Sequence, residues 1–246
     1  MNTKFRVGAV SYLNTKPLIY GLKHSRVKED IELILDYPAR LVSLLQKNEL
    51  DIALLPVAAI PKIKDAEIFS NYCIASDDEV ASVCLFSEVP IEEIQEVYLD
   101  YQSETSVALC KLLLQHYWQS RPLLLEADEH FIEDIKDKRA GIIIGDRALE
   151  NLNRFPYVYD LAKAWKDYTQ LPFVFATWVS TKQLPESFVK EFNEANQHGL
   201  TFIDQLTDEI PFTAYDLKKY YTENIRYELN EERRNGMTLF MKQLQQ

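Results

Sequence analysis

Glycine is scarce in this chain, with six among 246 residues. There is no G-x-G-x-x-G run, no P-loop and no G-x-S-x-G elbow. Those absences remove the usual glycine-built phosphate cradles and the hydrolase nucleophile turn. Cysteine is thin as well. Cys73, Cys84 and Cys110 are scattered, odd in number and form no C-x-x-C pair, so they read as buried apolar thiols. The four histidines, His24, His116, His130 and His198, lack metal-ligand spacing. No metal site and no cofactor is expected from them. No apolar run reaches membrane-spanning length, so no membrane partner is expected. Residues 1–4 lead straight into a strand-like run with no secretory h-region, which predicts a cytoplasmic protein.

Positive charge is also in deficit. Lys and Arg number 27 against 38 Asp and Glu, a net charge of -11. Such a chain repels phosphate backbones, and no nucleic-acid partner is expected. A small anionic ligand stays open, because local dipoles can outweigh the global sign inside a closed site. What is present is an ordinary globular mixture, 47% hydrophobic and 26% charged, at a length that suits one large domain or two lobes.

Strand-like runs alternate with helical patterns from the start. Residues 5–10, 31–37 and 51–56 read as strands, with helices opening at Pro17 and Pro38 between them. This order argues for an α/β fold with mixed, mostly parallel sheets flanked by helices. Residues 81–86, 97–99, 123–126, 141–144 and 173–179 continue the strand pattern. Residues 107–115 and 148–152 read as helices between them. The last part of the chain is helical, over 185–206, 214–221 and 231–244, with Asn230 as N-cap of the final helix. Gly236 weakens that last helix slightly. Two lobes follow. One comprises residues 1–86 with 180–246, the other residues 87–179. The hinge strands are expected near Phe86 and Val179, with a ligand cleft between the lobes.

Three strand-to-helix junctions are polar. In Val7-Gly8-Ala9-Val10-Ser11-Tyr12-Leu13-Asn14-Thr15-Lys16-Pro17-Leu18 a strand breaks into a small polar cluster just before a helix. Ser11, Asn14 and Thr15 can cap that helix or join its free N–H groups in holding an anion. Ser103-Glu104-Thr105-Ser106 opens the next helix with the same two options. Gly145-Asp146 forms the third junction, where Asp146 can cap the helix that follows. In an open sheet such junctions line the ligand crevice. The aromatic strand within Leu171-Pro172-Phe173-Val174-Phe175-Ala176-Thr177-Trp178 can be plain core or a wall for a ring-shaped ligand.

Together with Asp51-Ile52-Ala53-Leu54-Leu55-Pro56-Val57, Ser82-Val83-Cys84-Leu85-Phe86-Ser87 and Ile144-Gly145-Asp146-Arg147-Ala148-Leu149, these segments resemble the chorismate dehydratase family of the futalosine route to menaquinone. The Ser-Tyr-Leu-Asn-Thr-x-Pro-Leu motif is the most specific part. The resemblance implies the two-lobed fold of type II periplasmic binding proteins. It also implies a cofactor-free hydro-lyase that converts chorismate, a small dianion, to 3-[(1-carboxyvinyl)oxy]benzoate and water. On that footing Asn14 is expected to be catalytic. Ser11 and Ser82 would bind substrate from the first lobe, and Ser103, Thr105 and Ser106 from the second. Gly145 and Asp146 would line the floor, and Phe173 would face the ring. The ring proton could go to a substrate carboxylate or to Asp146. The alternative reading is a solute-binding protein of the same fold that holds a small anion unchanged.

Overall fold

A computed structural model describes residues 4–245; residues 1–3 and 246, the ends of the expected first lobe, lie outside them. In chain order the elements are β1 (Phe5–Ala9), α1 (Lys16–His24), β2 (Ile31–Leu35), α2 (Pro38–Gln46), β3 (Ile52–Pro56), β4 (Glu67–Ser76) and β5 (Val83–Ser87). They continue as β6 (Glu96–Leu99), α3 (Glu104–His116), β7 (Leu123–Glu126), β8 (Arg139–Ile144), α4 (Asp146–Asn151), β9 (Tyr157–Asp160), α5 (Leu161–Thr169) and β10 (Phe173–Ser180). The chain closes with α6 (Glu186–Leu200), α7 (Ile203–Glu209), α8 (Leu217–Lys219), a π turn over Tyr220–Asn224, β11 (Arg226–Glu228) and α9 (Glu231–Gln243).

Two sheets form. The first runs β11-β4-β10-β3-β1-β2, the second β7-β6-β8-β5-β9. Strand β1 sits between β2 and β3 in parallel, with Val7 opposite both Leu33 and Ile52. Val7, Ala9, Ile52 and Leu55 are wholly buried, as expected of strands covered on both faces. The pairings of β10 with β3 and β4, and of β11 with β4, are antiparallel. In the second sheet β6 is parallel to β7 and β8, while β5 is antiparallel to β8 and β9. Both sheets are therefore mixed, and the expected excess of parallel pairs is absent. Each long return of the chain between lobes enters its sheet from the opposite end.

The lobe boundaries also differ from those expected. Strand β5 belongs to the second sheet and β10 to the first. The chain crosses at residues 77–82 and 170–172, not near Phe86 and Val179. A continuous apolar run does not reveal which sheet it enters. Three further expectations shift. The helix expected over 185–206 breaks into α6 and α7 at Thr201 and Phe202. The one expected over 214–221 is a single turn that widens into the π turn. Asp146 lies inside α4, and Gly145 takes the N-cap position.

Caps explain several of the boundaries. Asn230 accepts from Arg233 N–H at 2.9 Å, as expected for the start of α9. Asp160 starts α5 by accepting from Ala162 and Lys163 N–H at 2.9 and 3.1 Å. Gly236 in α9 has a packing reason. A Cβ there would stand 2.1 Å from the carbonyl oxygen of Pro172, so only glycine lets α9 lie against the second crossing. Phe173 follows at once and packs edge-on against Trp165, Phe175 and Phe240, with ring centroids 5.5, 4.7 and 4.9 Å away. Edge-to-face pairs of this kind contribute roughly 0.5–1.5 kcal/mol each beyond burial. This cluster anchors the C-terminal helix to the first lobe beside the crossing.

Candidate functional site

The lobes meet around a cleft. Its floor and walls come from the ends of β1, β3, β8 and β10, the first crossing and the start of α3. Val10, Leu54, Ile74, Val80, Val83, Ile144 and Phe175 give an apolar body. Tyr12, Asn14, Thr15, Ser82, Gln102, Ser103 and Ser106 place polar groups around it. No lining residue among the described ones is charged.

Asn14 sits in a 3-10 turn, Leu13–Thr15, between β1 and α1. Thr15 holds that turn by donating its hydroxyl to Val10 and Tyr12 carbonyls at 2.6 and 2.8 Å. The Asn14 side chain caps neither the turn nor α1. Its Oδ1 is buried and has no hydrogen-bond partner, although the backbone carbonyl of Asn14 accepts from Tyr227 Oη at 3.0 Å. Leaving such an oxygen unpaired costs roughly 1–3 kcal/mol, a cost that a ligand donor would remove.

Ser82 ends the first crossing and is wholly buried from bulk solvent. Its Oγ accepts from Tyr220 Oη at 2.8 Å, and its carbonyl accepts from Gly145 N–H at 2.7 Å. Gly145 has φ +64° and ψ -145°, a backbone region that side chains with a Cβ strongly avoid. Across the cleft, Ser103 caps α3 by accepting from Ser106 N–H at 3.1 Å. The two hydroxyl oxygens lie 2.8 Å apart. Capping and facing the cleft are thus not alternatives here, since Ser103 does both.

The other expected site residues are placed differently. Ser11 is exposed and faces a shallow hollow beside Asp36 and Tyr37. As the chain leaves β1, Tyr12 turns inward in its stead. Thr105 is buried away from the cleft, and its hydroxyl accepts from Ala58 N–H at 3.1 Å. Asp146 does not line the cavity. Its Oδ1 accepts from Leu13 N–H at 3.1 Å, and burial pushes its carboxyl above the usual range despite that bond and the nearby Lys16. Phe173 is enclosed in the aromatic cluster, and Phe175, two residues on, reaches the cleft. Glu104 turns outward to pair with Lys62 of the other lobe.

Several of these bonds join the two lobes. Leu13 to Asp146, Ala58 to Thr105, Lys62 to Glu104, and Tyr12 Oη to Gln102 Oε1 at 3.2 Å all cross between them. Burial, aided by the Asp100 charge, pushes the Tyr12 phenol up to about 12, so it remains a donor near neutral pH. Tyr12, Gln102 and Tyr220 carried no expectation of their own from the sequence, whereas Phe175 lies in the aromatic strand read as core or ring wall. Of the first three, Tyr12, inside the specific first motif, had a signal that could have pointed to it.

The family model described as Menaquinone biosynthesis matches residues 5–246. The chain belongs to this family. A curated relative, chorismate dehydratase of Thermus thermophilus, is 28% identical over 97% of this chain and 94% of its own length. Among solved structures, a protein from Archaeoglobus fulgidus aligns with a TM-score of 0.76 at 13% identity, covering 98% of this chain and 97% of that one. A Candida albicans protein described as exhibiting the generic periplasmic binding protein fold aligns at 0.61 and 12% identity, covering 98% and 89%. The two-lobed fold of the menaquinone-biosynthesis chain is accordingly that of periplasmic binding proteins. No described helix is long and apolar enough to cross a membrane. The described residues of this family member also contain no group of three or more His, Cys, Asp or Glu able to hold a metal ion.

Proposed function

We propose that this chain is a cytoplasmic hydro-lyase that dehydrates chorismate to 3-[(1-carboxyvinyl)oxy]benzoate, within the futalosine route to menaquinone. The observation that carries the reading is the buried, unpartnered Asn14 Oδ1 in the interlobe cleft. It lies in the motif that most specifically resembles the chorismate dehydratases.

In the proposed reaction one C–O bond of the ring breaks and the hydroxyl departs. A proton leaves the neighbouring carbon that bears the enolpyruvyl ether. The C–H electron pair becomes the third ring double bond, and hydroxyl and proton together make water. Aromatisation supplies the driving force. Asn14 would accept from the leaving hydroxyl through Oδ1, or orient the enolpyruvyl carboxylate through its Nδ2–H. Ser103, Ser106 and the free N–H groups at the start of α3 suit the second carboxylate. Phe175 and the apolar walls suit the ring. The Asp146 carboxylate is engaged with Leu13 N–H and lies off the cavity lining. That favours a substrate carboxylate as proton acceptor, with the protein supplying orientation. Lobe contacts around the cleft would exclude water while this occurs.

Incubation of the purified protein with chorismate tests the reading. The expected result is loss of chorismate with an equimolar aromatic product of the dehydrated mass. Tight binding of chorismate with no conversion would instead establish a solute-binding role and overturn it.

A further inference from the structure

Ser82 is held from behind by a part of the chain that the reaction scheme leaves unused. The π turn Tyr220–Asn224 packs against the first crossing and grips it twice. Tyr220 Oη donates to Ser82 Oγ at 2.8 Å, and Asn224 Nδ2 donates to the Glu79 carbonyl at 3.1 Å. Tyr215 Oη donates in turn to Asn224 Oδ1 at 3.0 Å and fixes that amide. Between the two grips the backbone is in an unfavourable shape, since Ala81 has φ +62°. Single π turns of this kind recur at functional sites, where the extra residue re-aims side chains.

The direction of the Tyr220 bond matters. A phenol is a better hydrogen-bond donor than an aliphatic alcohol, so the tyrosine gives its hydrogen and the serine oxygen receives it. Tyr220 is wholly enclosed, and burial raises its phenol well above the ordinary range, so this donor does not ionise near neutral pH. A serine hydroxyl has one hydrogen and two lone pairs. With one lone pair occupied from behind, its own hydrogen is directed forward to the cleft that Ser82 lines.

We infer that Tyr220 is a positioning residue that makes Ser82 a hydrogen-bond donor toward the oxygen of the anionic ligand in the cleft. This rests on reading the cleft as the site where chorismate is dehydrated. Tyr220 touches no substrate in this scheme. The Asn14 side chain is a second hydrogen-bonding neighbour of Tyr220; the part of the Tyr220 contribution that passes through Ser82 vanishes when Ser82 has no hydroxyl.

The test is a double-mutant cycle on chorismate turnover with Tyr220→Phe, Ser82→Ala and the double variant. Tyr220→Phe should lower kcat about tenfold with little change in KM, and Ser82→Ala should lower it about a hundredfold, in the range seen for positioned donors. The double variant should be slower than Ser82→Ala by clearly less than the factor that Tyr220→Phe costs alone, because the two groups are coupled. Losses that multiply, or full activity of Tyr220→Phe, overturn the inference while wild-type turnover upholds the dehydratase reading. A wild-type protein that does not convert chorismate overturns that reading and the inference with it. Ser82→Ala alone supplies an arm that does not depend on Tyr220→Phe folding. Its tyrosine absorption should shift as one buried phenol loses its acceptor, and a spectrum identical to wild type overturns the inference.

Discussion

The carboxylate of Asp146, in the second lobe, accepts a hydrogen bond at 3.1 Å from the backbone N–H of Leu13, in the first. Asp146 thus acts as a clasp between lobes at the rim of the cleft. Asp146→Asn keeps an oxygen able to accept that bond. Turnover in this variant should stay within about threefold of wild type, as for other hydrogen bonds that are retained rather than removed. Asp146→Ala, which loses the bond, should raise KM more than it lowers kcat. A collapse of kcat in Asp146→Asn, together with loss of one limb of the pH–rate profile, would falsify the clasp and make Asp146 the base.

Asn14 should behave differently. Asn14→Ala and Asn14→Asp are both expected to fold, since the side chain caps nothing. Both should lose about a hundredfold or more in turnover. The aspartate should also bind the product more weakly than the alanine, because it sets a charge beside an anion in a poorly solvated cleft. Calorimetry with the product, alongside steady-state rates, checks both points. A fully active Asn14→Asp sinks the catalytic role.

Gly145→Ala tests the shape of the floor. The added Cβ would have room, with Tyr12 Cδ1 3.9 Å away as its nearest neighbour. Any loss must therefore come from the φ of +64°. The expected destabilisation is about 1–3 kcal/mol, seen as a melting point lower by several degrees. A melting point equal to wild type would mean that the backbone relaxes at no cost.

Asp51 supplies a pH prediction remote from the cleft. Burial raises its pKa, but hydrogen bonds from Arg6 and Lys182 outweigh that and hold it at about 2. The folded value lies below the unfolded one of about 3.9. The stabilisation is therefore complete above about pH 4 and is lost as pH falls toward 2. Asp51→Asn should cost about 2 kcal/mol near neutrality and progressively less below pH 4. Denaturant melts at pH 7 and pH 3 measure the difference, and an equal cost at both would refute it.

Much of the framework was legible because it rests on local rules. The strand, polar turn and Pro17 helix of the first motif, the Ser103 cap and the Asn230 cap are each written within a few residues. What failed depends on distant partners. Phe173 and Phe175 are equivalent by strand period, and only the packing of α5 and α9 decides that the first is sealed and the second reaches the cleft. Ser11 and Tyr12 are neighbours on opposite sides of a chain leaving its strand, so choosing between them needs the exact exit angle. Tyr220 was invisible because its partner Ser82 lies 138 residues away and nothing local marks a π turn.

The uncharged lining of the cleft has a kinetic consequence when set beside the net charge of -11. A dianion approaching this protein meets a body of net negative charge and a lining that carries no cation. Diffusional encounter is therefore opposed at long range and rewarded only at contact. Added electrolyte shortens the reach of that repulsion, from about 10 Å at 0.1 M to about 3 Å at 1 M. The second-order rate of capture should then rise with ionic strength, the reverse of an electrostatically steered site. An uncharged ligand of the same outline would feel no such barrier. Discrimination for the anion must arise after entry, from oriented dipoles that salt screens least.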